Sequence, residues 1–200
     1  MLSQDSIRGK IMCEDVVFKA VEKPLPKPTE EGYVVARLLE SLIEARLALE
    51  FLERGLTRNA AGKVFQAWKA LMAALLRLEI DKLKTLAKTE EERRWLEATA
   101  VPRVPTSKMK MLARLLKEVG YDDVSPWTDK ALNLHDYQYH GPDPDLALSK
   151  YTRREEAAAD ILELAAEVAR RVETLKNKVK WTEELVETLR KLQETLRTVK

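Results

Sequence analysis

The stretch that decides the fold is Asn59-Ala-Ala-Gly-Lys-Val-Phe-Gln-Ala-Trp-Lys-Ala-Leu-Met-Ala-Ala-Leu-Leu76. Its large apolar residues recur every three to four positions, which predicts an amphipathic helix from about Asn59 to Lys84. Alanines and one glycine fill the positions between them, so a partner helix can approach closely. The large residues of this stripe are Phe65, Trp68, Leu71, Met72, Leu75, Leu76 and Leu83.

A second helix is expected directly before it. Thr29, followed by Glu30 and Glu31, predicts an N-cap with acids at the positive helix end. A broad apolar face then runs from Val35 to Leu52, and Gly55 ends the helix. Two long helices joined by a short loop form an antiparallel hairpin.

Four further starting signals predict more helices. They are the capping box Thr89-Glu-Glu-Glu92, an amphipathic run from Ser107 to Val119, Ser125-Pro126 as N-cap and first helical position, and the box Thr152-Arg-Arg-Glu155. The two prolines of Val101-Pro-Arg-Val-Pro105 are expected to interrupt the helical structure between the first two of these helices. We therefore predict an all-α, antiparallel helical bundle.

The two ends of the chain are expected to lie outside this bundle. Residues 1–22 have the spacing of a short amphipathic helix, and the prolines up to Pro28 form a linker. Leu185, Leu189, Leu192, Leu196 and Val199 make a short coiled-coil stripe. We thus divide the chain into 1–28, the bundle 29–176, and a C-terminal amphipathic helix 177–200, long or hooked, which packs on the bundle or on another subunit.

The composition excludes several classes of protein. The chain has 35 basic and 33 acidic residues, so no global charge attracts nucleic acid or membranes. A single cysteine, Cys13, allows no intrachain disulfide and fits a reducing cytoplasm. The longest apolar run, from Ala70 to Leu76, is too short to span a membrane. Abundant Lys, Glu and Arg favour a thermophilic source.

The groups that can move protons near neutral pH are concentrated between Trp127 and His140. Lys130, His135 and Tyr137 combine a cation, an imidazole and a phenol, which suits phosphodiester cleavage. Residues five apart on a helix point about 140° away from each other, so Lys130 and His135 of one chain converge poorly. Two copies across a symmetric dimer would bring them together.

Each of these residues also has a simpler interpretation. His135 fits a helix residue that bonds only to its neighbours, and Trp127, Tyr137 and Tyr139 fit core or interface anchors. The spacing of His135 and His140 does not suit a metal site, and no phosphate loop is present, so neither a metal nor a cofactor is expected.

The Lys130-x4-His135-x-Tyr137 pattern resembles the Arg-x4-His-x-Tyr signature of toxins among the HEPN (higher eukaryote and prokaryote nucleotide-binding) helical domains. That resemblance implies a dimeric, metal-independent ribonuclease, silenced by a partner nucleotidyltransferase. Lys130 replaces the arginine and lacks its planar fork, which weakens the expectation of catalysis.

The order of parts over about residues 30–176 is more similar to the archaeal PaREP proteins. The similarity consists of a Leu/Glu-rich hairpin, a Trp-Leu-His-Tyr-His helix and a Glu/Ala-rich helix. The positions that match are Trp127, Leu134, His135, Tyr139 and His140. This resemblance implies a fold rather than an activity.

Three functions remain open from the sequence. The first is a non-catalytic homodimer that binds nucleotide, RNA or a protein through Trp127, Tyr139 and His140. The second is a ribonuclease with His135 as acid or base, Lys130 on the phosphate and Tyr137 for orientation or regulation. The third is a purely structural oligomerisation protein.

Overall fold

The protein is described by a computed structural model that covers residues 24–199. The helices of this range are α1 Tyr33–Glu53, α2 Thr57–Leu78, α3 Ile80–Leu86, α4 Glu90–Trp95, α5 Met109–Glu118, α6 Val124–His140, α7 Arg154–Thr174 and α8 Glu183–Thr198. No strand occurs between residues 24 and 199, so the predicted all-α helical bundle is confirmed. Cys13 and the predicted helix in 1–22 lie outside the described residues.

The α1/α2 hairpin is the centre of the core. Its apolar side chains and the alanines of α2 are buried against each other and against the later helices. The loop between the two helices contains Gly55, whose φ of 74° lies in the left-handed region that glycine adopts without strain. The predicted hairpin and its glycine stop are both present.

α6 and α7 cover the hairpin. Trp68 of α2 is fully buried, and its Nε1 donates a 3.0 Å hydrogen bond to the Thr128 Oγ1 of α6. The Arg171 guanidinium of α7 lies 5.7 Å from the centre of the Trp68 ring. One indole therefore joins three helices, and its polar atom is satisfied inside the core.

Several helix ends differ from the prediction. α1 begins at Tyr33 rather than Thr29, because residues 27–32 form turns and Tyr33 is the first residue buried in the core. The long second helix stops at Leu78, since the chain bends at the buried Glu79 so that Leu83 reaches the core. The helix that starts at Glu90 continues through a π-turn, Leu96–Ala100, to Arg103.

Two of the predicted N-caps are displaced as well. α6 begins at Val124, which places Pro126 inside its first turn, where a backbone N–H has no helical partner anyway. α7 begins at Arg154, and it is Glu156 that accepts the N–H groups of Thr152 and Arg153. The Thr89 cap is as predicted, with its Oγ1 accepting from the Glu92 N–H.

α8 folds back onto α1 and α7, so the predicted hooked C-terminal helix is present. Leu185, Leu189 and Leu192 of its stripe are buried within the same chain. The stripe therefore packs on the bundle, and it is no longer an argument for a second subunit. Between residues 24 and 199, no helix has the length and hydropathy of a membrane span.

We expect Leu192→Ala to lower the free energy of unfolding by about 2–5 kcal/mol, because it leaves a cavity between α8 and the hairpin. Val186→Ala is the matched control, since Val186 lies on the same helix and is 50% exposed. Urea denaturation at several protein concentrations checks both variants. A wild-type midpoint that rises with protein concentration would show that the stripe is buried between subunits instead.

Candidate functional site

The candidate site lies where α6 crosses α2, and the two helices run in opposite directions. Arg58 at the start of α2 donates from Nε to the carbonyl oxygen of Gln138 near the end of α6, at 2.9 Å. Further along α2, Phe65 meets His135, and Trp68 meets Thr128. The seam between these helices therefore holds one of the two predicted histidines.

His135 is a packed but reachable imidazole. Its ring stacks on the buried Phe65 ring, with centroids 4.2 Å apart and an angle of 25° between the planes. The Tyr139 ring, one turn later, meets the imidazole edge-on at 5.2 Å. His135 is half-buried, so the imidazole covers the phenyl ring and keeps an open side.

Burial lowers the pKa of His135 below its usual value. The nearby Lys69 ammonium lowers this pKa further, while the Asp136 carboxylate opposes both effects. The lowered pKa favours the neutral form of the imidazole. A neutral imidazole has one nitrogen that donates a hydrogen bond and one that accepts.

This lowered pKa predicts a pH dependence of stability. As the pH falls, His135 binds its proton in the unfolded chain before it does so in the folded protein. The neutral ring therefore contributes its full stabilisation above the unfolded pKa of about 6.5, and this contribution is lost as the pH falls through the lower folded value. We expect the wild type to lose more stability than His135→Gln between about pH 7.5 and pH 5.5. Denaturation curves at both pH values check this, and parallel losses would contradict it.

Lys130 does not lie with His135. Its Nζ binds two carboxylates of α7, Asp160 at 2.7 Å and Glu163. Burial lowers the pKa of Lys130, but these two hydrogen bonds outweigh it and raise the pKa. The ammonium also lies 5.3 Å from the centre of the Trp127 ring. Lys130 thus faces α7, with the Trp127 ring beside its ammonium, on a different side of α6 from His135.

Tyr137 is a core residue. It is 1% exposed, and its ring meets the Tyr151 ring edge-on at 5.5 Å. Burial raises the pKa of the Tyr137 hydroxyl. Since Tyr151 itself donates a 2.7 Å hydrogen bond to Asp160, this pair of tyrosines joins α6 to the start of α7.

Tyr139 and His140 form the exposed end of α6. Tyr139 is 61% exposed, the second highest value among the large apolar side chains of the described residues. The His140 ring lies 6.5 Å from the Tyr139 ring, and His140 is exposed as the last helical residue before Gly141. The structure therefore places His135, Tyr139 and His140 at one end of α6, where Tyr137 is buried, whereas Lys130 and Trp127 lie further back along the helix.

A groove of about 600 Å³ opens beside Tyr139, and we call it the seam groove. It is lined by Phe51, Arg58, Asn59, Gly62, Lys63, Gln66, Gln138 and Tyr139. Two cations and three amides face it, and no acidic residue does. Lys63 has one carboxylate partner outside the lining, Glu44, at 3.0 Å.

The α2 side of the seam groove was not predicted from the sequence. The signal was nevertheless present, because polar residues and one glycine recur every three to four positions along a helix otherwise made of alanine and leucine. These positions are Arg58, Asn59, Gly62, Lys63, Gln66 and Lys69. Such spacing places them on one face of the helix.

No cluster of three or more His, Cys, Asp or Glu residues that could hold a metal ion occurs in the part of the chain that the structure describes. The seam groove accordingly offers amide, guanidinium, ammonium and aromatic groups to a ligand. These groups hydrogen-bond, attract anions and stack.

A protein-family model, that of the archaeal PaREP1/PaREP8 family, matches residues 36–162. The chain belongs to this family. The match to the PaREP1/PaREP8 model includes every residue that lines the seam groove, whereas α8 lies beyond it. No curated protein and no solved structure shows significant similarity to this PaREP1/PaREP8 chain.

Proposed function

We propose that this PaREP1/PaREP8 family member is a non-catalytic module that binds single-stranded RNA in the seam groove. The observation that carries the proposal is the exposed Tyr139 ring at the rim of a groove with cations and amides but no acids. Proteins that bind single-stranded nucleic acid combine these elements, with aromatic rings for the bases and positive charge for the backbone.

The aromatic element supports stacking of a base. His135 meets Tyr139 edge-on, which holds the phenol ring in place while most of its surface stays open. His135 is in turn fixed on Phe65. A ring held in this way loses little conformational freedom when a base stacks on it.

The polar elements support contacts to phosphate and base edges. Arg58 is exposed and binds carbonyl oxygens of Gln138 and Tyr139, so its charge is not neutralised by a carboxylate in these contacts. Asn59 and Gln66 are exposed amides on the same face of α2. Amide side chains present both donors and acceptors, as base edges require.

The positions of Lys130 and Tyr137 disfavour the ribonuclease in the form that the sequence predicts. Metal-independent cleavage needs a second group beside the imidazole, and the sequence offered Lys130 and Tyr137. Lys130 is paired with two carboxylates and Tyr137 is 1% exposed. Neither side chain is available to a phosphate bound at His135 of the same chain.

Fluorescence anisotropy with a labelled oligouridine of about ten nucleotides tests the proposal. We expect binding that weakens with added salt, because phosphate contacts release counterions. The double variant Asn59→Ala/Gln66→Ala is expected to lose about tenfold in affinity, and Val186→Ala, exposed on α8, none. Absence of binding by the wild type would overturn the proposal.

The same samples test the ribonuclease alternative. The RNA is recovered after incubation with a metal chelator and examined on a denaturing gel. We expect the oligonucleotide to stay intact. Cleavage that disappears in His135→Ala would establish the enzyme instead.

Three further features stay predictions. They are the HEPN-like character of the bundle, the homodimer and the partner nucleotidyltransferase. The leucine stripe of α8 was the main argument for a homodimer. It no longer supports one, because Leu185, Leu189 and Leu192 are buried within the chain. A single chain contains the whole seam groove, so the proposed binding does not require a second copy.

A further inference from the structure

Gly62 stands in the middle of α2, where alanine would favour the helix more. A Cβ atom at this position would overlap the Oε1 atom of Gln138, and it would also lie 3.4 Å from the Gln138 Cδ. The glycine therefore makes room for one particular side chain of α6. Glycine lowers the intrinsic stability of α2, but its lack of a side chain lets the Gln138 amide lie against this helix.

The Gln138 amide that lies against Gly62 also contacts His135. The Gln138 Nε2 lies 3.0 Å from the His135 Nδ1, one helical turn earlier on α6. The Gln138 backbone is held too, since its carbonyl oxygen accepts from the Arg58 Nε. Both the main chain and the amide of Gln138 are thus fixed against α2.

The orientation of the Gln138 amide bears on which imidazole nitrogen carries the proton. With its NH₂ group facing Nδ1, as in this structure, Nδ1 accepts, and the proton of the neutral ring lies on Nε2. Among the described residues, Nε2 has no hydrogen-bond partner, and the His135 ring borders the seam groove through its contact with Tyr139. The charged groups that act on the ring are Asp136 on α6 and Lys69 on α2.

We propose that Gln138, seated on Gly62, is a positioning residue that holds His135 as a neutral Nε2–H donor for an acceptor atom of the bound ligand. The ligand part of this proposal rests on the RNA-binding function proposed above. The chemistry selected at this point is an oxygen or ring nitrogen with a free lone pair, such as a uracil carbonyl. An exocyclic amino group, which donates, is disfavoured there.

The first test uses the free protein, so it does not depend on RNA binding. Imidazole nitrogen NMR spectra give the tautomer and the titration midpoint of each histidine, and His140→Gln assigns the two. In the wild type we expect His135 to carry its proton on Nε2. In Gln138→Ala and in Gly62→Ala we expect the titration midpoint of His135 to rise by about half a pH unit or more, because Nδ1 loses its hydrogen-bond donor.

Gly62→Ala keeps the fold, since only the end of a flexible side chain must move. Gln66→Ala, an exposed amide on the same helix, is the control and leaves the midpoint unchanged. A wild-type ring with its proton on Nδ1 would overturn the proposal, as would an unchanged midpoint in both Gln138→Ala and Gly62→Ala.

The second test adds oligouridine to the labelled protein. We expect the Nε2 resonance of His135 to shift on binding, and to shift less in Gln138→Ala. RNA that binds without moving this resonance would overturn the ligand part of the proposal and leave the RNA-binding function standing. RNA that fails to bind would contradict that function, and the tautomer measured in the free protein would be unaffected.

Discussion

Trp68→Ala is expected to lower the free energy of unfolding by about 3–5 kcal/mol, the largest loss we predict for a single residue. The indole is fully buried between α2, α6 and α7, so its removal leaves a cavity that three helices would have to close together. The Arg171 guanidinium also loses the ring against which it lies. Urea denaturation followed by circular dichroism measures the loss without relying on tryptophan fluorescence.

Trp95→Ala is the matched control, because it removes the same side chain from the end of α4, where it is only half-buried. We expect a clearly smaller loss there. Trp68→Phe should lie between the two, since it keeps most of the ring volume but loses the hydrogen bond to Thr128. Equal losses for Trp68→Ala and Trp95→Ala would contradict the account of Trp68 as the buried residue that joins three helices.

Tyr139→Ala is expected to weaken oligouridine binding by roughly five- to a hundredfold, because stacking of one base on an aromatic ring contributes about 1–3 kcal/mol. The ring is 61% exposed, so its removal should hardly change the free energy of unfolding. Affinity and stability are therefore expected to respond separately. Fluorescence anisotropy gives the first and urea denaturation the second.

Two variants control for this effect. Tyr139→Phe keeps the stacking surface and should keep most of the affinity. Leu148→Ala removes a side chain that is 63% exposed in the loop after α6, outside the seam groove, and should leave binding unchanged. An affinity that falls as much in Leu148→Ala as in Tyr139→Ala would show that the binding surface is not the seam groove.

Much of the fold could be predicted because its signals are local. The spacing of large side chains in α2 and the glycine at position 55 predict the hairpin. Thr89 likewise predicts the start of α4, because its side chain caps that helix. The errors arose where tertiary contacts override local preference. α2 ends at Glu79, a buried residue that accepts hydrogen bonds from Lys82 and from the distant Tyr121.

The site was only half predictable for a related reason. The sequence shows that His135 and Tyr139 are one turn apart, and their contact follows from helix geometry. It does not show which neighbour each face of α6 meets. That Lys130 faces carboxylates of α7, and that His135 lies on Phe65, depends on how three helices cross. The α2 residues that contact α6 could not be predicted from the sequence for the same reason.

The C-terminal stripe shows a further limit of sequence patterns. A spacing of four and three residues between leucines predicts that one face of α8 is covered, but it does not predict by what. In this chain the cover is α1 and α7, as the burial of Leu185 and Leu192 shows. A dimer predicted from the stripe alone therefore lacks support.

Photocrosslinking tests the central claim, that RNA binds in the seam groove against Tyr139, most directly. Oligouridine containing a photoreactive thiouridine is irradiated with the full chain, and the protein is digested with trypsin. Cleavage after Lys130 and after Lys150 releases one peptide that contains Tyr139. We predict that the crosslink lies on this peptide, at Tyr139, and that it is lost in Tyr139→Ala. Crosslinks confined to other peptides, or undiminished in Tyr139→Ala, would contradict the claim.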